Sequence, residues 1–161
     1  MIVAAKVCPG VKGYGCIHNA KAYFMHNDPD VYTINDTEEY KTGYVMMLLA
    51  GYAAVELVYG EKHCGSDKDL LDVKKSIIDD LIYHGKYGLE FIKITDSIEQ
   101  QNKIDRKAHE LIEELYKKTI EILKPYKSLL EQIGDRMVRE GYILLPDVKL
   151  LIEEYDKNRD L

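Results

Sequence analysis

The sequence predicts a mainly α-helical α+β protein, in which a helical bundle follows a small N-terminal β element. Apolar residues recur at three- and four-residue steps through most of the chain after residue 36. Before that point, a short alternating segment is bounded by glycine- and proline-containing turns. The length of 161 residues suits one domain with its own core. We therefore expect a single domain over 1–161, with a β segment at about 1–34 and a helical part at 36–155.

The N-terminal segment is predicted to form short strands between Ile2 and about Met25. Pro9–Gly10 marks a turn, and the KAYFM sequence at 21–25 alternates between apolar and polar residues as a strand does. An Asn-Asp-Pro-Asp sequence follows and is unsuited to regular structure. We expect a loop from His26 to Ile34.

The first predicted helix begins at Asp36 or Thr37 and runs to about Tyr59. Glu39, three residues after Asp36, can complete a capping box. Gly60 is the glycine expected just past the helix end. The apolar run inside this helix is interrupted by a glycine and a glutamate and is shorter than the roughly 20 residues that span a bilayer. A buried core helix is the expected outcome.

The second predicted helix opens at Ser66, which forms an S-x-x-D capping pattern with Asp69. Apolar residues then recur with helical spacing as far as Leu81, and the helix is expected to end near His84–Gly85.

Three further helices are predicted after a polar linker at 94–101. The first carries an apolar stripe at Ile104, Ala108, Leu111, Leu115, Thr119 and Ile122. Pro125 interrupts the path because proline lacks an N–H and crowds the preceding turn. The next helix ends before Gly141, and a last short helix runs from Val148 to about Tyr155.

Charge and cysteine content restrict the function classes. The net charge is −6, the pI is near 5.4, and lysines are interleaved with glutamates, which does not favour a nucleic-acid surface. Cys8, Cys16 and Cys64 are odd in number and lack a C-x-x-C spacing, as is typical of reduced thiols in the cytosol. No signal peptide or membrane span is expected. We expect a cytoplasmic protein, or one at the cytoplasmic face of a membrane protease.

Three motifs follow one another in the middle of the chain: LAGYAAVELVYG at 49–60, HCGSDKDL at 63–70 and KYGL at 86–89. Together with the helical segment at 104–144, they resemble the peptidase domain of the FtsH-type AAA zinc metalloproteases. The similarity covers roughly residues 40–155. It implies the helical fold of that domain, which in the family packs into a hexameric ring.

The resemblance extends to the N-terminal residues and to a metal-ligand position. Residues 5–34 resemble the β segment between the family's catalytic helix and its Gly-Ala-Ala helix. In the family, two histidines of an H-E-x-x-H helix and a distant aspartate hold zinc, and the glutamate acts as general base. Asp69 matches the position of that aspartate. Asp69 is fully explained as the N3 carboxylate of a capping box, which would be worth about 1 kcal/mol. This interpretation is favoured for the isolated chain, because one carboxylate cannot hold zinc alone.

The chain also departs from the family. It contains neither H-E-x-x-H nor the Walker-type ATPase motif, and no two of its five histidines are four residues apart. The family's Thr-Thr pair is replaced by His63-Cys64, and charged residues of its Gly-Ala-Ala helix by Tyr52 and Val55. We therefore expect no catalytic residue and no cofactor in this chain itself. Zinc is expected if the catalytic helix is supplied elsewhere.

Several other residues are candidates for packing or for an interface. Gly51, Ala53 and Ala54 give the first helix a smooth side that allows close approach of another helix, and Gly60 ends it. Glu56 is interpreted as a helix-edge residue that reaches solvent or pairs with a lysine.

Two close pairs of zinc-capable residues, Cys16 with His18 and His63 with Cys64, offer an alternative metal site. Adjacent or alternate residues rarely converge on one ion without a tight turn, so a private zinc site is the weaker hypothesis.

Three functions follow from the sequence. The first is a degenerate FtsH-like peptidase domain, inactive alone, that associates with itself or modulates an AAA protease. The second is part of an active ATP-dependent zinc metalloendopeptidase whose H-E-x-x-H helix lies upstream or on another chain. The third is a structural or small-ligand-binding module.

Overall fold

The computed structural model of the chain describes residues 1–8, 10–19, 21–27, 37–61, 67–82, 87–91 and 97–159. Helical residues make up 78% of these residues, and the remainder includes a small three-stranded antiparallel sheet. The prediction of a mainly α, α+β fold is confirmed.

Six α-helices and three strands are described. In chain order they are α1 (Ile2–Val7), β1 (Lys12–His18), β2 (Lys21–Asn27), α2 (Glu38–Tyr59), α3 (Asp67–Lys75), α4 (Ile98–Leu123), α5 (Lys127–Glu140), β3 (Tyr142–Leu144) and α6 (Leu145–Arg159). A π-helical turn, Ser76–Ile82, continues α3, and short 3-10 turns occupy Leu89–Phe91 and Lys124–Tyr126.

The first residues of the chain correct the sequence prediction, because Ile2–Val7 is a helix and not a strand. Its sequence is rich in β-branched residues but does not alternate, and Ile2, Val3 and Ala4 are all buried. One helical turn can bury these neighbouring apolar residues against α2, α4 and α6, and this packing overrides their strand propensity.

Helix α1 meets α2 at a close backbone approach. A Cβ atom at Gly43 would overlap the carbonyl oxygen of Val7 and lie 3.2 Å from its carbonyl carbon. The absence of a side chain at Gly43 therefore lets the C-terminal end of α1 lie directly on α2. Cys8, which ends α1, is buried beside this contact.

The hairpin of β1 and β2 confirms the strand predicted at 21–25. The two strands pair in full antiparallel register, and Asn19 between them adopts a left-handed conformation. Strand β2 continues through residues 26 and 27, so the loop predicted from His26 begins too early. The rest of that predicted loop lies outside the described residues.

The third strand of the sheet comes from near the other end of the chain and was not predicted. β3 pairs with β1 and gives the strand order β2-β1-β3. Only three residues long, it carries too few residues to show an alternating pattern. Through it the last part of the chain packs onto the N-terminal hairpin.

Both ends of α2 lie at residues that the sequence predicted, although the N-terminal cap observed is that of Thr37 and not the Asp36–Glu39 box. The Thr37 hydroxyl oxygen accepts a hydrogen bond from the backbone N–H of Tyr40 at 3.3 Å, which selects Thr37 as the N-cap. Gly60 ends the helix in a left-handed conformation with φ of 75°. Asp36, the other predicted start, lies outside the described residues.

The long helix α4 begins earlier than predicted. Ser97 caps it by accepting a hydrogen bond from the N–H of Gln100 at 3.2 Å, so residues 98–101 belong to the helix and not to a linker. The predicted stripe is buried from Ile104 to Thr119, but its last buried member is Leu123 and not Ile122. The 3-10 turn around Pro125 separates α4 from α5, as expected.

The last two helices are joined through Gly141 and β3. Gly141 ends α5 with φ of 81°, the predicted position for a helix-terminating glycine. Helix α6 begins at Leu145, three residues before the predicted start, and continues to Arg159. Its buried residues Leu145, Val148 and Ile152 complete the core.

Candidate functional site

Asp69, the predicted metal-ligand position, is the third residue of α3 and is partly buried. This position agrees with a role in the first helical turn, where a carboxylate is favoured by the helix dipole. Its capping partner Ser66 and the predicted helix end at His84–Gly85 lie outside the described residues. Helix α3 packs against α2, so Asp69 belongs to an element held by the core.

Within the described ranges, no group of three or more histidine, cysteine, aspartate or glutamate side chains is arranged to hold a metal ion. Cys16 and His18 both lie on β1, two residues apart and therefore on the same face of the sheet. The other half of that alternative zinc site, His63 and Cys64, lies outside the described residues.

The small residues of α2 do not all face the core. Ala53 is fully buried and Ala54 is partly buried against the core, as expected for close packing. Gly51 is exposed on the same helix, and Gly60 is exposed at its end. The close backbone approach seen in α2 is at Gly43, eight residues before Gly51.

Glu56 pairs with a tyrosine and not with a lysine, which corrects the sequence interpretation. The Tyr116 hydroxyl on α4 donates a short hydrogen bond to Glu56 Oε2, and the Tyr52 ring lies against Tyr116 with centroids 5.6 Å apart. Burial raises the pKa of Tyr116, and the hydrogen bond to Glu56 raises it further. The cluster ties α2 to α4 through a phenol that stays protonated.

A second polar cluster joins the first and last helices. Lys6 Nζ lies 3.0 Å from Asp156 Oδ2, and the Tyr126 hydroxyl donates to Asp156 Oδ1 at 2.8 Å. The hydrogen bonds from Lys6 and Tyr126 lower the pKa of Asp156. Burial alone would lower the pKa of Lys6, but its contacts with Tyr126 and Asp156 outweigh that effect and raise it. This cluster fixes α1 to α6 at the edge of the core.

One face of the sheet turns away from the core, and we call it the outer sheet face. Alternation along the strands and the pairing register place its members on one side. They are Lys12, Tyr14, Cys16 and His18 of β1, Lys21, Tyr23 and Met25 of β2, and Tyr142 and Leu144 of β3. The opposite face contains Gly15 and Ile143, which are buried, and Phe24, which packs against the core.

The centre of the outer sheet face is apolar and exposed. Tyr14, Tyr23, Met25, Tyr142 and Leu144 are between 42% and 56% exposed. With about 200 Å² for a complete large side chain, half exposure of five such residues gives about 500 Å² of surface. Contiguous apolar patches of this size on a single protein commonly mark binding surfaces. The sequence shows the alternation in β2, but the contribution of β3 appears only in the fold.

No protein-family model matches the chain, and no curated protein matches its sequence. The resemblance to FtsH-type peptidase domains therefore depends on the motifs alone and stays a hypothesis.

Among the described residues, α2 is the one helix long and apolar enough to cross a membrane by length and composition. Core helices of globular proteins satisfy the same criterion. Here α2 contributes buried residues from Tyr40 to Ala53 and packs against α1, α3 and α4.

Proposed function

We propose that this chain is a protein-association domain of the FtsH-type peptidase architecture, without proteolytic activity of its own. It acts by joining other copies or by binding an FtsH-type protease. The outer sheet face carries this proposal, because it exposes five large apolar side chains on a rigid three-stranded platform. Aromatic and methionine side chains are enriched at the centres of protein interfaces.

The order of elements supports the family part of the proposal. A hairpin lies between α1 and α2, where the resemblance puts the family's β segment. Gly60 then ends α2, and Asp69 follows in the first turn of α3. The motif at 49–60 forms the second half of α2 and its C-terminal glycine, and the described part of the motif at 63–70 forms the first turn of α3.

Sedimentation velocity tests association, with the chain alone and in mixtures with a purified FtsH-type protease. We expect a complex that is weakened by Tyr23→Ser combined with Met25→Ser. The matched control is Leu150→Ser, which removes a side chain that is 58% exposed on α6 and is not a member of the outer sheet face. A chain that stays monomeric at high concentration and ignores the protease contradicts the proposal.

Hydrolysis of casein, measured with and without added zinc, tests the absence of proteolytic activity. We expect no cleavage by the isolated chain. Zinc-dependent cleavage that disappears with Asp69→Ala would show that the domain is a working peptidase.

A second candidate function is part of an active zinc metalloendopeptidase. The observation that favours it is that the chain is helical at α1, directly before the hairpin, because the resemblance puts the family's metal-binding helix upstream of that hairpin, before Met1. An H-E-x-x-H motif supplied upstream or by another chain would then complete a site with Asp69. The two imidazoles would bind the ion and the glutamate would take the proton of its water.

The coding sequence that precedes Met1 tests this candidate first, because an in-frame H-E-x-x-H would favour it over the association function. Zinc content of the protein that includes such a motif is the second measurement. Stoichiometric zinc should be lost with Asp69→Ala and kept with Asp72→Ala, a matched carboxylate on the same helix. Equal retention of zinc in both variants would exclude Asp69 as a ligand.

A further inference from the structure

Charge is unevenly distributed along the sequence, and two of the three strands that form the outer sheet face, β1 and β2, come from its basic part. Residues 1–27 contain three of the 22 basic residues and none of the 28 acidic residues, so their formal charge is +3. The rest of the chain therefore carries a formal charge of −9. Strand β3 adds no charge to the sheet, because its residues are Tyr142, Ile143 and Leu144.

The basic side chains lie at the two ends of the apolar centre. Lys12 is at one end of β1, and Lys21 is paired with His18 at the turn end of the hairpin. All three are exposed, and no ion pair joins Lys12 or Lys21 to a carboxylate in the described part of the chain. His18 lies six residue steps along β1 from Lys12, which corresponds to about 20 Å. The face thus presents an apolar strip with positive charge at both ends.

We infer that the outer sheet face binds an acidic polypeptide segment, whose apolar side chains cover the tyrosine-rich centre and whose carboxylates meet Lys12 and Lys21. This inference depends on the association function proposed above and specifies the chemistry of the partner. The inference is based on charge complementarity. Lysines at the rim of the face raise the association rate of an acidic segment and fix its orientation, while the apolar centre supplies the buried contact area.

Two other occupants fit the same face less well. A second copy, packed face to face about a two-fold axis, would bring lysines of one face near lysines of the other, and like charges across an interface cost several kcal/mol. An anionic membrane would attract the lysines but repel the remaining charge of −9. A polypeptide segment is small enough to interact with the local basic field alone, since screening limits that field to about 8–10 Å.

Fluorescence anisotropy with a synthetic peptide tests the inference. The probe has about eight residues, with glutamates at both ends and leucine and tyrosine in the centre, so that its extended length of roughly 25 Å matches the span of the face. One control peptide replaces every glutamate with lysine, and another replaces the apolar centre with serine. We expect measurable binding of the acidic apolar peptide only, and weaker binding at high salt.

Charge variants of the protein locate the binding surface. Lys12→Glu with Lys21→Glu should raise the Kd for the acidic peptide by about tenfold or more. Lys127→Glu with Lys149→Glu makes the same change in net charge at two exposed lysines of α5 and α6, and should change the Kd by less than about twofold. Tyr23→Ser with Met25→Ser should abolish binding, and Leu150→Ser should not. Circular dichroism confirms that each variant is folded.

Several outcomes would overturn the inference. These are equal binding of the lysine peptide, equal loss in both charge variants, or a dimer that disappears in Tyr23→Ser with Met25→Ser. Binding to phosphatidylserine vesicles that requires Lys12 and Lys21, without peptide binding, would assign the face to a membrane. If the chain binds the protease through Tyr23 and Met25 but does not discriminate among the peptides, the partner chemistry is wrong and the association function stands. If the acidic peptide binds the face but neither self-association nor protease binding occurs, the partner chemistry stands and the association function is wrong.

Discussion

Replacement of Gly43 with alanine tests whether α1 is held on α2 by a backbone contact. Gly43 is buried in α2, and a Cβ atom there would overlap the Val7 carbonyl oxygen and lie 3.4 Å from Cys8 Sγ. The neighbour that must move is backbone, so α1 has to shift away from α2 to make room. The shift would loosen the packing of Ile2, Val3 and Ala4, which are buried at the same interface.

The expected free-energy change combines two opposing effects. Alanine in a helix interior is favoured over glycine by about 1 kcal/mol. Overpacking of a well-packed contact costs about 1–3 kcal/mol, and a rigid backbone neighbour favours the upper end. We expect Gly43→Ala to lower the free energy of unfolding by about 1–2 kcal/mol, which corresponds to a fall in Tm of about 3–8 °C for a protein of this length.

Gly134 in α5 provides the matched control. A Cβ atom there would meet nothing within 4 Å, so Gly134→Ala should gain only the helix preference and raise the free energy of unfolding by about 1 kcal/mol. Urea unfolding followed by far-ultraviolet circular dichroism measures both variants, with the m-value as a check on the unfolded state. A Gly43→Ala protein as stable as the parent would refute the close contact between α1 and α2.

Four further predictions concern polar clusters and a helix end. Tyr116→Phe should lower the free energy of unfolding by about 1 kcal/mol in urea unfolding, because it removes the hydrogen bond to Glu56. Glu56→Gln should bring the pKa of Tyr116 down towards its ordinary value in a spectrophotometric titration, since a negatively charged acceptor disappears. The bond with Lys6 lowers the pKa of Asp156 below its ordinary value of 3.8. This ion pair therefore stabilises the fold above pH 3.8, and its contribution is lost as the pH falls through the lowered pKa of Asp156. An Asp156→Asn protein should lack this part of the pH dependence in acid unfolding, and an unchanged profile would contradict the assignment. Gly141→Ala should cost about 1 kcal/mol in urea unfolding, because φ is 81° and the space around the residue is open, so only backbone strain acts.

The helices were predictable where the sequence carries both periodicity and a local end signal. Thr37 begins α2 through its side-chain hydroxyl, and Gly60 and Gly141 end α2 and α5 through their left-handed backbone conformation. These signals act within a few residues and need no information from the rest of the fold. The buried stripe of α4 was predictable from the three- and four-residue spacing of its apolar residues, which is also a local signal.

The elements that the sequence analysis missed depend on distant contacts. Ile2–Val7 has the composition of a strand and becomes a helix because α2, α4 and α6 enclose it. Strand β3 exists because β1 offers a free edge, and three residues carry no periodic signal of their own. The start of α4 was not predicted because its first turn is polar, although Ser97 is a residue type that favours a helix N-cap.

In the candidate site, too, residues with a local signal were predictable and those brought together by distant contacts were not. Asp69 was placed in the first turn of a helix from its capping pattern, and the structure puts it there. The outer sheet face could not be assembled from the sequence, since Tyr142 and Leu144 join Tyr14 only through the fold. The partner of Glu56 was likewise missed, because Tyr116 lies 60 residues away in the chain.

The helical state of α1 bears on both candidate functions. Helix α2 contacts both α1 and α3, and α3 carries Asp69, the one position in this chain to which the resemblance assigns a metal ligand. Gly43 of α2 allows the close approach of α1. Beneath the sheet, Met137 of α5 lies beside Gly15 of β1. A domain that had lost catalysis and kept association would therefore retain the packing at Gly43. Stability of that contact cannot distinguish the two functions, and zinc retention at Asp69 can, because only the peptidase requires a carboxylate at that position.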